Sequence, residues 1–538
     1  MSEIQTTLEK FGRYQKRLCI ILFVGALPSA FVTFQFLITH HQPSYYCNYG
    51  AFAFESNNET SSQEVTGASE VVASKSGNDT DSDRCHTTTT HQDVKGHTHN
   101  QTAEGCVFYS THTSVVTEYD LVCQKAWVKP FLVAIFMVGM MLGGQCGGTL
   151  SDKFGRWKIL FLASLWQLAA TFLSSFAWNV PSYGFSIFLC GLPCAVTAQA
   201  STLIGSEFVS ASKRGFTYFC IAAGFSVGYM VLPVTAYFIH DWRWWLRFIT
   251  LAGVLTMPCI WLLDETPIWL VATGRNEEAS KLLKRIRKYN RENRGTDLEE
   301  FEKFEPALNK EETLSVWSIM SSLARISSLL GRLLIVFFAW LVVNMTYYAI
   351  ALNNDRLSGD WLWNMFFAGL VELASSLGFV ICAQTVGRRN TYIALMTLTT
   401  FSLATTPFVA SINGTAGVVF SMVSKFNVST CFSIVYVYTG ELFPTNVRHT
   451  ILALSSAISR LGGILAPFII YADEIGGSIA SSIGMAVAIF VSALTFLYLP
   501  KTKDKALPQT LKDAKAMRSD IFLSCNREKE SKTVVSPD

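Results

Sequence analysis

Twelve stretches of about twenty apolar residues recur along the chain, at 18–39, 127–150, 158–177, 182–203, 216–239, 244–263, 331–352, 361–383, 390–411, 415–438, 448–470 and 477–499. A hydrocarbon layer of about 30 Å needs roughly 20 apolar residues per crossing helix, and inside it every backbone group must be bonded within its own segment. The pattern therefore predicts an all-α membrane protein with twelve transmembrane helices. Composition agrees: half the residues are apolar and 15% charged, against about 25% charged in soluble domains. With 43 basic and 40 acidic side chains the net charge is +3, too balanced for nucleic acid as a partner. The first run follows a polar leader of 17 residues and reads as a retained span rather than a cleaved signal peptide.

Lys and Arg bias sets orientation. Lys10, Arg13, Lys16 and Arg17 precede the first span, Lys153, Arg156 and Lys158 follow the second, Lys213 and Arg214 the fourth, and Arg388 and Arg389 the eighth. Both termini, 1–17 and 500–538, are expected in the cytoplasm of a multi-pass plasma-membrane protein. Alternate loops are poor in base, with His240 to Arg243 a mild exception. The outside loop 40–126 is rich in Ser, Thr, Asn and His; it carries glycosylation sequons at Asn58, Asn78 and Asn100, within reach of the modifying machinery. Cys47, Cys85, Cys106 and Cys123 also sit there, enough for two disulfides in an oxidising compartment by any of three connectivities. The segment 264–330 divides the spans into an N-terminal half, 18–263, and a C-terminal half, 331–499; within it GRNEEASKLLKRIRKYN reads as an amphipathic helix, a linker helix before a calmodulin or lipid-headgroup site.

The two halves repeat one another. Glu207 and Arg214 recur 234 residues on as Glu441 and Arg448, and GTLSDKFGRWK at 148–158 has an echo in AQTVGRR at 383–389. Paired six-helix units around a midplane site are the architecture of carriers that expose that site to each side in turn. Gly148, Asp152, Gly155 and Arg156, with Glu207, Arg214, Glu441 and Arg448, are expected to form ion-pair latches that gate such a motion; simple turn chemistry is the competing reading.

Ionisable residues at membrane depth are functional candidates. Glu372 in the eighth span, Lys425 in the tenth and Arg460 in the eleventh lie near the middle of their helices and sum to +1, a balance that favours a carboxylate-bearing or zwitterionic solute. The planar fork of Arg460 suits a carboxylate. Helical spacing adds Phe432 and Tyr436 to the Lys425 face, and Asn344, Tyr347 and Tyr348 cluster in the seventh span; aromatic faces beside an acid suit an ammonium group. Against this stand packing or lipid contact for the aromatics, and a Glu372–Lys425 salt bridge that only gates. Gly139, Gly143, Gly144, Gly147 and Gly148 read as a close-approach face of the second span.

Enzyme signals are absent or accidental. Gly224-Phe-Ser-Val-Gly228 falls inside a span without the strand a nucleophile elbow needs. His86, His91, His97, His99 and His112 lack metal-ligand spacing, and no phosphate-cradling loop supports direct ATP-driven pumping. No cofactor or metal is expected.

Several long strings now converge: SDKFGRWK at 151–158, GYMVLPVTAYFIHDWR at 228–243, DETPIWLVATGRNEEA at 264–279, KFNVSTCFSIVYVYTGELFPTNVRHT at 425–450 and SRLGGILAPFIIY at 459–471. They resemble the organic ion transporter family of the major facilitator superfamily, nearest its organic cation/carnitine branch. The resemblance implies the major facilitator fold and facilitated or ion-coupled movement of small organic ions, with sodium or proton coupling left open. It likens Arg460 and Lys425 to positions of anion and carnitine carriers, and Glu372 to an acid of carnitine and cation carriers. Cys194 and Thr197 align where carnitine carriers have Gln and Asn, and Phe225 stands in the presumed pocket where a tyrosine is expected. The expected function is therefore transport of a zwitterionic or carboxylate-bearing solute. An organic anion exchanger is the alternative within transport, and a receptor or scaffold acting through the outside loop the alternative outside it.

Overall fold

The computed structural model describes residues 11–47, 91–92, 98–99, 106–210, 213–290, 326–476, 478–503, 508 and 511–516. Twelve helices long and apolar enough to cross a membrane run through them: α1 Arg13–Thr39, α2 Val128–Phe154, α3 Arg156–Ser174, α4 Val180–Glu207, α5 Arg214–Phe238, α6 Trp242–Trp261, α7 Ser327–Leu352, α8 Trp361–Thr385, α9 Arg388–Ile412, α10 Gly414–Leu442, α11 Thr445–Gly476 and α12 Ser478–Phe496. Each matches an expected span. Several run past the apolar stretch, α1 beginning at Arg13 and α10 ending at Leu442, because hydropathy registers the hydrocarbon depth whereas helical hydrogen bonding continues through polar residues.

Short polar side chains start the helices at the ends of the bundle. Asn179 accepts from Ser182 N at 2.8 Å, Asp241 from Arg243 N at 2.9 Å, Asp360 from Leu362 N at 2.8 Å and Asn413 from Thr415 N at 3.0 Å; each satisfies an amide that the first helical turn leaves without a partner. The tight turns α2–α3 and α8–α9 both pivot on a glycine with positive φ, +108° at Gly155 and +92° at Gly387, a conformation that a Cβ penalises. The repeat thus extends to backbone geometry.

Within each half the helices pack in matching pairs: α1 on α5 and α3 on α4, then α7 on α11 and α9 on α10. Gly139 and Gly143 let α2 approach α4 so closely that a Cβ would strike the carbonyls of Phe188 and Leu192. Gly147 faces Val196 and Gln199, but Gly148 has open space around it and is not part of that face. The halves meet where α5 packs on α8 and α2 on α11.

The start of α1 and the C-terminal segment Leu511–Ala516, whose Ala514 carbonyl accepts from Arg332 of α7 at 2.6 Å, lie at one end of the bundle, here called the terminal face. The helix Asn276–Asn290 docks there through Ala279, Leu282, Leu283 and Ile286. Arg285 pairs with Asp264 at 2.8 Å, Tyr14 Oη donates to the same carboxylate at 3.0 Å, and Tyr14 N donates to Asn290 Oδ1 at 2.9 Å. Its apolar stripe is covered by the N-terminal half itself.

At the opposite, loop face the connection between α1 and α2 is anchored by a short antiparallel ladder, Ser44–Cys47 against Cys106–Tyr109, with Cys47 opposite Cys106. Cys123 is disulfide-bonded; the side chains of Cys47, Cys85 and Cys106, and the sequons Asn58, Asn78 and Asn100, lie outside the described residues. The exceptional Arg243 has a local cause. Its guanidinium donates to the Ser175 carbonyl at 2.8 Å and to Glu118 at 3.2 Å, while Trp242 Nε1 donates to Glu118 at 2.7 Å. Glu118 neutralises the arginine and pins the loop to the head of α6.

Candidate functional site: a central cavity and two latches

A cavity of about 240 Å³ opens between the halves. Its walls come from α1, α2, α4, α5, α7, α8, α10 and α11; α3, α6, α9 and α12 contribute nothing to its lining. The lining residues of α5, Tyr218 to Ser226, fall in its first half, and those of α4, Cys194 to Thr202, in its second. α5 begins and α4 ends at the terminal face, so the cavity occupies the span from mid-depth toward that face.

The C-terminal half supplies the charge. Arg460, Glu372, Asn344, Tyr347, Tyr348 and Phe432 all line the cavity. Tyr348 stands beside Arg460 on the cavity wall, and among the described residues no carboxylate lies within 4.0 Å of that guanidinium. Asn344 has a positioning part: its Nδ2 donates to the Ser459 carbonyl at 2.6 Å, holding α11 where Arg460 leaves it. Gly463, against Asn344 and Tyr348, allows that contact.

Glu372 is engaged. It accepts from Tyr347 Oη at 2.9 Å and pairs with Lys425 Nζ at 3.7 Å, its side chain 14% exposed against 1% for the lysine. Lys425 does not line the cavity. Its ammonium lies 3.3 Å from Tyr229 Oη and 4.5, 5.5 and 5.9 Å from the ring centres of Tyr229, Tyr347 and Phe34. Two of those rings belong to the N-terminal half and one to the C-terminal half. Phe34 stacks on Tyr229 at 4.1 Å, one residue beyond the cavity-lining Thr33, and this aromatic layer closes the cavity toward the loop face. Tyr436 also departs from the expected set: it packs on Trp340 at 5.6 Å and is not among the lining residues. Helical spacing placed it on the Lys425 face, and Lys425 itself is turned behind the cavity.

The N-terminal half supplies neutral groups. Ser29, Thr33, Cys194, Tyr218, Phe225 and Ser226 face the cavity. Thr197 lies behind Cys194, its hydroxyl 3.3 Å from Gln167 Oε1 and 3.4 Å from Ser29 Oγ. Charge and periodicity did not reveal this wall, because hydroxyls are ordinary in buried spans. Tyr229 and Phe34 were missed because aromatic rings are equally ordinary in membrane spans, although Tyr229 sits in one of the diagnostic strings.

At the terminal face the acid and base of the first turn, Asp152 and Arg156, do meet, and the two glutamates of the repeat join arginines other than those seven residues on. Glu207 pairs with Arg156 at 3.4 Å, which also binds Asp152 at 2.8 Å; Arg214 is exposed and takes no part. Glu441 pairs with Arg388 at 3.1 Å, while Arg448 donates to the Phe443 carbonyl at 3.3 Å. Seven residues put Glu and Arg on opposite sides of the break between helices, whereas the turn after the preceding helix pair brings the other arginine across. A threonine stands beside each, but only one is bonded: Thr502 Oγ1 donates to Glu441 Oε2 at 2.6 Å, whereas the buried Thr266 hydroxyl, near Glu207, has no hydrogen-bond partner. Arg156 and Arg388 are 232 apart and Thr266 and Thr502 236 apart, so the signal for both lay in the repeat. Glu265 adds a feature of the first copy, accepting from Arg156 N at 2.9 Å and Trp157 N at 3.2 Å to cap α3.

Comparison with known proteins gives consistent relatives. Residues 80–512 match the model of the family described as sugar (and other) transporter. The chain is 32% identical over 404 residues to the Organic cation transporter protein of Drosophila melanogaster, covering 74% of each, and 31% identical over 411 residues to Organic cation/carnitine transporter 2 of Homo sapiens, covering 74% of this chain and 71% of that one. Among solved structures, the proton:xylose symporter XylE bound to 6-bromo-6-deoxy-D-glucose superposes with a TM-score of 0.58 at 16% identity, covering 94% of this chain and 99% of that one. A partially occluded inward open form of XylE from E. coli gives 0.56 at 16% identity over 89% and 98%. The fold is that of the major facilitator superfamily.

Proposed function

The chain belongs to the sugar (and other) transporter family, as a multi-pass membrane transporter of the organic cation/carnitine type, and from that premise we propose that it carries carboxylate-bearing or zwitterionic solutes by alternating access. The observation that carries the reading is Arg460, a guanidinium facing the cavity with no carboxylate within 4.0 Å among the described residues. A cation held in a low-dielectric site without a counter-ion is costly, and a bidentate carboxylate relieves that cost. Tyr348 stands beside the fork, and Asn344 positions the helix that bears it.

In this reading Glu372 and the rings of Tyr347, Phe432 and Phe225 receive the cationic end, with Lys425 tuning Glu372 from behind. Tyr436 stands outside the contact set. The latch residues Asp152, Arg156, Glu207, Arg388 and Glu441 hold each half rigid while the halves rock. The terminal face is assigned to the cytoplasm of a plasma-membrane protein by the basic residues that flank it, and the outside loop to the glycosylated exterior. The cavity then faces inward.

Because Lys425 and Tyr347 already hold Glu372, a second reading has support: an organic anion exchanger in which Glu372 is structural. Uptake of labelled carnitine against a dicarboxylate and urate panel, with and without sodium, separates the two. Carnitine uptake that falls in Glu372→Gln favours the zwitterion reading; dicarboxylate or urate uptake indifferent to that change favours the exchanger. Intact carboxylate uptake in Arg460→Ala at normal surface expression would falsify both.

A further inference from the structure

A second, smaller pocket of about 40 Å³ lies at the loop face, where the ends of α1 and α2 meet those of α7, α8 and α11. Along α1, Thr33 faces the central cavity and Phe36 and His40 face this pocket, with the Phe34–Tyr229 stack between them. The walls are mostly apolar. The polar corner is made by Lys129 and His40 from the N-terminal half, and Asn354 and Tyr471 from the C-terminal half.

Two of these groups are buried without partners. His40 is 3% exposed and neither ring nitrogen has a hydrogen bond; Asn354 is 5% exposed and its Nδ2 has none. Each such group costs about 1–3 kcal/mol while unsatisfied, and two in one pocket point to a ligand. Its sign follows from the donors. An amide nitrogen can only donate, the Lys129 ammonium, which holds Gln42 Oε1 at 3.2 Å among its contacts, brings positive charge, and no acidic residue stands among the described lining residues. Burial and the lysine's charge push the His40 pKa down to about 3, so its neutral ring offers one N–H. About 10–15 Å³ by this measure admits one water, so the pocket takes roughly three waters or one compact anionic group.

We propose that this seam pocket is a small-anion site, taking a carboxylate group or a halide on Lys129, His40 and Asn354. Its donors come from both halves, so the site is assembled only while the loop face is shut, and a ligand that binds one state stabilises that state. The inference does not depend on the substrate assigned to the central cavity.

The test is thermal unfolding of the purified full-length protein, titrated with sodium acetate or sodium chloride at constant ionic strength set with sodium HEPES, whose sulfonate is carried on a bulky ring and chain. The expected result is a saturable rise in Tm with at least one of the two, a half-saturating concentration raised tenfold or more by Asn354→Asp and by Lys129→Gln, and no change in it in Arg460→Ala. Saturation by acetate alone assigns the site to the carboxylate of an organic solute; saturation by chloride assigns it to an inorganic anion. The proposal is overturned if neither anion gives a saturable rise, if both pocket variants titrate like the wild type, or if Arg460→Ala abolishes the response and so moves it to the central cavity. Asn354→Leu, of similar volume and without a donor, serves if Asn354→Asp does not fold.

Discussion

The two halves match at the terminal face and diverge at mid-depth. Each carries a Glu–Arg pair at the same place, Glu207 with Arg156 and Glu441 with Arg388, beside a turn on a positive-φ glycine. Around the cavity the N-terminal wall is neutral, with hydroxyls and a thiol among apolar side chains, while Glu372 and Arg460 come from the C-terminal wall. The difference separates two physical demands. A rocking bundle needs both levers equally stiff, whereas a solute with distinct ends is best read by one rigid charged wall sliding against a neutral one that costs little to desolvate.

The largest effect tests the charged wall. Lys425→Ala leaves Glu372 buried without its cation, and removing one member of a buried pair costs about 3–5 kcal/mol; a Tm drop is expected that the double variant Lys425→Met/Glu372→Leu largely reverses. If the single change is silent, Glu372 is solvated from the cavity and the charged wall is not rigid. Next comes Arg460→Ala, expected to lower kcat/KM for a carboxylate solute by about two orders of magnitude, the scale of 2–5 kcal/mol for a charged hydrogen-bonded pair, with Arg460→Lys recovering only part because an ammonium lacks the fork.

The latch symmetry is sharpened by glycine. Gly155→Ala and Gly387→Ala each force a Cβ into the left-handed region at roughly 1–3 kcal/mol. A Cβ at Gly155 also meets the Glu265 carboxylate, while at Gly387 it meets the flexible side chain of Lys503 at 3.3 Å. Gly155→Ala should therefore lower Tm more; equal losses would mean that the Glu265 cap does not matter. The smallest expected effect is Thr502→Ala, about 0.5–1.5 kcal/mol for one hydrogen bond, seen as a modest shift in chemical denaturation.

How much of this could be read beforehand follows the range of each interaction. Spans are local: twenty apolar residues in a row need no tertiary information, and all twelve were legible to within a few residues. The repeat was legible because Glu207 and Glu441 share a spacing with their neighbours, yet that spacing did not give their partners. Glu441 reaches Arg388 across a fold-back that sequence distance does not encode. In the cavity the costly side chains announced themselves, since a charge at membrane depth is rare. Ser29, Thr33 and Tyr218 did not, and neither did the direction of Lys425, which depends on how α10 is rotated against α1 and α5.

That lysine has a kinetic consequence. Its ammonium is wrapped by Tyr229 and Phe34 of one half and Tyr347 of the other, each contact worth roughly 0.5–2 kcal/mol when desolvated. Parting the halves would take Tyr229 and Phe34 from the charge at once, leaving it Tyr347 and Glu372 of its own half; on the alternating-access reading an unladen molecule would then turn round slowly unless something arrives to compensate. Efflux timed with and without unlabelled solute on the far side should then differ, the two-way swap outpacing the one-way leak.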